Sequence, residues 1–107
     1  MGSRFKFKAW DKDKKLLIRP GNVSFQKGEL VIPNCVILQY TGFVDKLGQE
    51  IYEDDILLIG DIKYHVFWDN QEHTWNYKSQ SQSIKMNRVF ALTTVIGYNA
   101  YERGEKE

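Results

Sequence analysis

The sequence has a single cysteine, two prolines and no apolar run near the eighteen or so residues that a membrane-spanning helix requires. Each scarcity excludes something. Cys35 cannot close an intramolecular disulfide, which removes the stapled secreted scaffold; in the apolar run 31–38 it reads as a buried thiol in a reducing cytoplasm. The amino-terminal residues lack the hydrophobic core of a signal peptide, and Lys6 stands where a myristoylation signal wants Ser or Thr. No membrane partner is expected. Charge of one sign is scarce too: fifteen Lys and Arg against fourteen Asp and Glu leave +1, so no global field steers the chain to polyanions. An electrostatic partner must meet a local patch.

Catalytic signals are equally thin. His65 and His73 are the only histidines, and with Cys35 remote in sequence they do not make a zinc set. No glycine loop of the phosphate-cradling kinds is present, and nothing marks a Ser, Cys or Thr beside a base. His65, alternating with Lys63 and Phe67, reads as a surface or hydrogen-bonded strand residue. The acidic run Glu53, Asp54, Asp55, with Asp61 nearby, has oxygen ligands that suit Mg²⁺, but it reads more simply as a solvated turn. A metal-dependent hydrolase on these four carboxylates is therefore the weakest of three functional readings. The expected chain is not an enzyme and carries no cofactor or metal.

What the chain has in quantity is aromatic residues: six Phe, six Tyr and three Trp, or 14%. Such residues favour half-buried pleated strands. In residues 4–9 charge alternates with apolar side chains, placing Phe5, Phe7 and Ala9 on one face and Arg4, Lys6 and Lys8 on the other. A polar tip at 11–15 and an apolar return at 16–18 complete a hairpin. Residues 23–25 and 30–32 flank a turn, and Pro33 marks an edge or a bulge. A strand over 36–41 is ended by Gly42; the turn 45–48 joins 43–44 to 50–52 as another hairpin. Strands at 56–59, 62–68 and 73–77 make a meander, 78–83 is a mobile polar loop, 89–92 is a strand or a helical turn, and 93–98 is extended. The tail 102–107 frays. The class is mainly β: one domain over 1–107, a small antiparallel β-barrel or sandwich built from hairpins, whose C-terminal half admits an SH3-like barrel.

Two surfaces are candidates for binding. The basic strand and tip, Arg4, Lys6, Lys8, Lys12, Lys14 and Lys15, could track a phosphate backbone while Trp10 stacks on a base. Against this, strand lysines commonly serve to block edge-to-edge aggregation, and Asp11 and Asp13 dilute the tip. The aromatic alternative is a protein contact through Trp10 together with His73, Trp75 and Tyr77, which share one strand face and form a patch if Thr74 and Asn76 face the core.

Three stretches carry a family resemblance. Residues 39–56, QYTGFVDKLGQEIYEDDI, resemble the signature of YopX-like proteins, close to Q-Y-T-G-L-x-D-K-N-G-x-E-I-Y-E-G-D-I. FKAWD at 7–11 is similar to the family's F-R-A-W-D, and VIGYNAYE at 95–102 to its V-I-G-N-I-Y-E. Asp54 departs from a usual Gly and Leu47 from a usual Asn; if the family Gly takes positive φ, Asp tolerates the exchange. The resemblance implies a phage or prophage origin and a cytoplasmic bacterial setting, and no established activity. The expected function is a non-catalytic accessory protein that binds a host or phage protein, with homo-oligomerisation compatible; the alternative is a nucleic-acid-binding module using the basic strand.

Overall fold

The computed structural model describes residues 6–18, 24–26, 29–31 and 34–106, the two three-residue segments through their backbone only. The expectations placed on Arg4, Phe5 and Pro33 lie outside the described residues. Eleven strands are described: β1 (Phe7–Asp11), β2 (Leu16–Ile18), β3 (Ser24–Gln26), β4 (Glu29–Val31), β5 (Cys35–Val44), β6 (Glu50–Tyr52), β7 (Asp55–Ile59), β8 (Ile62–Asp69), β9 (Thr74–Ser79), β10 (Gln82–Lys85) and β11 (Val95–Asn99). One helical turn, α1 (Arg88–Ala91), precedes β11, and a 3₁₀ turn (Ala100–Arg103) follows it.

The strands form a four-stranded sheet ordered β2-β1-β5-β6, a five-stranded sheet ordered β10-β9-β8-β7-β11, and the separate hairpin β3-β4. Every pairing among the described residues is antiparallel. The fold is thus the small β architecture that the alternating pattern predicts. In the C-terminal half, the last strand pairs beside the first of a meander and a helical turn precedes it, which is the strand order of an SH3-like barrel.

The main core lies between the sheets. Ile51 of β6 packs with Leu57, Val66 and Tyr77 of the five-stranded sheet and with Met86 and Ala91, while Phe43, Tyr64 and Phe90 close its sides. Tyr77 stacks on Phe90 with centroids 3.7 Å apart and planes 4° from parallel, and Tyr64 meets both rings edge-on. This explains why 88–91 is helical rather than extended: Asn87 caps it through Phe90 N, and the turn lays Phe90 across the strands. A smaller core joins Trp10, Leu38 and Tyr101, so the 3₁₀ turn is carried against the four-stranded sheet.

Five sequence expectations are corrected. Gly42 does not end a strand: β5 continues to Val44 through a register shift, with Gly42 at φ 91° and the Thr41 hydroxyl donating to Ile51 O and accepting from Phe43 N. The polar segment 78–83 is no mobile loop but the end of β9, a tight turn and the start of β10. The tail is ordered to Lys106: Asn99 and Glu102 form a capping box, and the Tyr98 hydroxyl bonds the Glu105 carboxylate. Cys35 is half-buried rather than buried. The acidic run is an interior turn, with Asp54 4% and Asp55 3% exposed. Asp54 does take the left-handed conformation, at φ 66°.

Candidate functional site

Two charged regions stand out, one inside and one at the surface. The interior one is built on carboxylates from turns. Asp45, 1% exposed, accepts from Leu47 N and Gln49 N through Oδ1 and from Ile96 N through Oδ2, which ties the β5–β6 turn to β11. Asp55 accepts from Tyr52 N and from Asn99 Nδ2, and the same Asn99 amide donates to Glu53 O. Asp54 Oδ1 lies 2.8 Å from His65 Nε2 and 3.5 Å from Lys106 Nζ. Burial pushes the Asp55 carboxyl up to about 6, against the hydrogen bonds from Tyr52 and Asn99 that hold it down. Burial also raises Glu53.

These carboxylates are therefore occupied by protein donors. Among the described residues no three His, Cys, Asp or Glu are grouped so as to hold a metal ion, and Asp61 lies exposed at the β7–β8 turn. The turn's chemistry is architectural: it fastens the β6–β7 corner to the segment that follows β11. His65 is hydrogen-bonded to Asp54, in line with its reading from the strand pattern. At the start of β5, burial together with Asp11 and Asp13 raises the Cys35 thiol, which disfavours the nucleophilic thiolate.

The surface region is a groove of about 470 Å³ with Trp10, Val36 and Tyr101 as its floor and Lys12, Lys15 and Lys106 at its rim. Its position follows from local structure. The β1–β2 turn is fixed by Asp11, whose Oδ1 accepts from Asp13 N and Lys14 N and whose carbonyl accepts from Lys15 N. Lys12 N donates to Asn34 O, and the Asn34 amide donates to Asp13 Oδ2, so the tip is braced against the approach to β5. On the other side, Gly104 ends the 3₁₀ turn in the left-handed conformation and directs the chain so that Lys106 reaches Asp54. Trp10 and Tyr101 meet at 5.9 Å with planes 30° apart.

The structure divides the basic candidates. Lys12 and Lys15 come together at the groove; Lys14 sits exposed on the same turn; Arg4 lies outside the described residues. Lys6 pairs with Glu50 at 2.7 Å and lies over Tyr40, and Lys8 lies 4.5 Å over the Tyr52 ring. Those two cover the cross-strand pair Tyr40–Tyr52 rather than present a phosphate track. Trp10 is only 8% exposed, which leaves little of its ring for a base to stack on.

The aromatic candidates are corrected as well. Tyr77 is 8% exposed and stacked in the main core, Trp75 packs against that core and crosses Trp68 edge-on at 5.1 Å, and His73 is an exposed turn residue at φ 55°. The three therefore do not form one exposed face. The face that carries Trp75 and Tyr77 is the one the rest of the fold covers. Tyr101, Val36 and Lys106 are missing from the sequence-based candidates. The C-terminal motif held the only signal for Tyr101, and nothing in the sequence placed it beside Trp10.

The family model described as YopX protein matches residues 22–105, more than three-quarters of the chain. No curated protein matches. Among solved structures, the chain is similar to the crystal structure of protein EF1440 from Enterococcus faecalis, at 18% identity with a TM-score of 0.64, over 97% of this chain and 98% of that one. At that identity the likeness is one of fold.

Proposed function

We propose, from the premise that this chain belongs to the YopX family, that it is a non-catalytic accessory protein of a phage or prophage that binds a host or phage protein in the bacterial cytoplasm. The observation that carries the reading is the groove between the β1–β2 turn and the 3₁₀ turn. Its aromatic and aliphatic floor and charged rim are the mixture that interfaces use, an apolar centre with polar margins. It is also held by braced backbone at its edges, which limits the ordering cost on binding. The interior carboxylates, by contrast, are engaged in holding the fold.

Nuclease separates this from the nucleic-acid reading. The tagged chain is used for capture from a bacterial host lysate, with and without nuclease treatment, alongside a Lys12→Glu/Lys15→Glu variant. The expected result is one protein retained after nuclease and lost with the variant. Release of the captured material by nuclease, or equal capture by the variant, overturns the proposal.

A further inference from the structure

We infer that the groove takes an acidic protein segment that carries one apolar anchor residue, an inference that rests on the protein-binding reading above. The rim supplies the first argument. Lys12 and Lys15 come from one turn and Lys106 from the segment after the 3₁₀ turn, so cations enter from two sides of one floor. Lys106 is already 3.5 Å from Asp54 Oδ1, so the two turn lysines carry most of the uncompensated charge. Among the described lining residues the one carboxylate, Glu102, accepts from Asn99 N through Oε1 and is bound into the capping box. Asp13 holds the Asn34 amide, and Asp11 is consumed in the turn itself. Hydrogen bonds leave these carboxylates charged, but among the described lining residues three lysines stand against one carboxylate, so the groove faces its occupant with an excess of positive charge in a protein whose total charge is only +1.

The floor supplies the second argument. Trp10 and Tyr101 are each 8% exposed, and Val36 is half-buried beside them. The floor thus offers little aromatic area beside the aliphatic Val36, which suits the CH surface of one Leu- or Phe-sized side chain. A nucleobase needs an open ring face. The third argument is extent. A single strand tracked over several nucleotides needs a long basic path, but Lys6 and Lys8 are held on Glu50, Tyr40 and Tyr52. A volume near 470 Å³ lies within the range of ligand pockets and holds a few side chains. Charge then sets the rate and the selectivity of encounter, and the anchor sets the residence time.

The test uses a fluorescein-labelled eight-residue peptide with four Asp or Glu residues around one central Phe, read by anisotropy. Comparison probes are the same peptide with Ala at the centre, the same peptide with Lys at the four acidic positions, and a labelled twelve-nucleotide oligothymidine. The expected result is binding of the first peptide, weakened about tenfold by the central Ala and abolished by the lysine exchange. Lys12→Glu/Lys15→Glu should weaken the first peptide by at least about tenfold. Lys46→Glu/Lys85→Glu alters the net charge equally at exposed sites elsewhere and should change affinity less than about twofold. Equal losses from the two double variants, or tighter binding of oligothymidine than of the peptide, would overturn the inference. If the acidic peptide fails while nuclease-resistant capture persists, the acidic class falls and the protein-binding reading stands. If both fail, both fall.

Discussion

The interior carboxylates of the turns and the lysines at the β1–β2 tip carry similar numbers of charges in very different settings. Asp45, Asp54 and Asp55 are buried and each is met by donors from distant parts of the chain, Ile96, His65 and Asn99. Lys12, Lys14 and Lys15 are exposed, and the contacts that fix their turn are made by backbone and by Asp11. A buried charge survives only where it is fully hydrogen-bonded, so its partners become part of the architecture. An exposed charge remains free to act on something else. The acids are committed to the fold, and the lysines are left at the surface, where the proposed binding would use them.

Removing an interior carboxylate should break that division most severely. Asp45→Ala strands three backbone donors at a nearly inaccessible site, and a loss of about 4 kcal/mol is expected in urea unfolding. A loss below about 1 kcal/mol would mean that water reaches the turn. Next comes the pH dependence of Asp55. Its folded-state carboxyl titrates near 6, above its ordinary 3.8, so the folded protein holds that proton more tightly than the unfolded chain. The contribution is full below about pH 4 and is lost as pH rises through 6, and it amounts to about 3 kcal/mol. Unfolding midpoints from pH 4 to 7.5 should fall more steeply for the wild type than for Asp55→Asn; parallel curves would assign the slope elsewhere.

Smaller effects sharpen the contrast. His65→Ala leaves Asp54 with Lys106 at 3.5 Å and should cost about 1–2 kcal/mol, with part restored by His65→Gln, read as shifts in melting temperature. Lys12→Glu/Lys15→Glu should change stability by less than about 0.5 kcal/mol while it removes the captured partner. A variant equally damaged in stability would show that the tip belongs to the architecture after all.

Period-two alternation made the strands readable, since each hairpin is specified by neighbours a few residues apart. It failed where a side chain's setting is decided at long range. Glu53, Asp54 and Asp55 look solvated because most of their partners stand far off in sequence: Gln39 for Glu53, His65 and Lys106 for Asp54, and, forty-four residues beyond Asp55, Asn99. Distance also hid part of the ordered tail: Lys106 reaches back to Asp54, although the capping box of Asn99 and Glu102 is local. Gly42 looked like a terminator because positive φ usually ends a strand, whereas the Thr41 hydroxyl bridges the interrupted ladder here. At the groove, the lysine half was legible from local charge. The floor was not, because Trp10 and Tyr101 meet only after both sheets have formed.

The reach of Asn99 also has a consequence for the order of events as the chain is made. Ribosomal synthesis delivers the β6–β7 corner well before Asn99, so through that interval the Asp55 carboxylate and the Glu53 carbonyl lack that donor and the corner stays open. Loop closure over more than forty residues must precede burial of the turn, which places the commitment to the native topology late, when β11 docks beside β7. A nascent chain halted before residue 99 should then be cut by protease near 53–55, and the same chain released after that residue should resist.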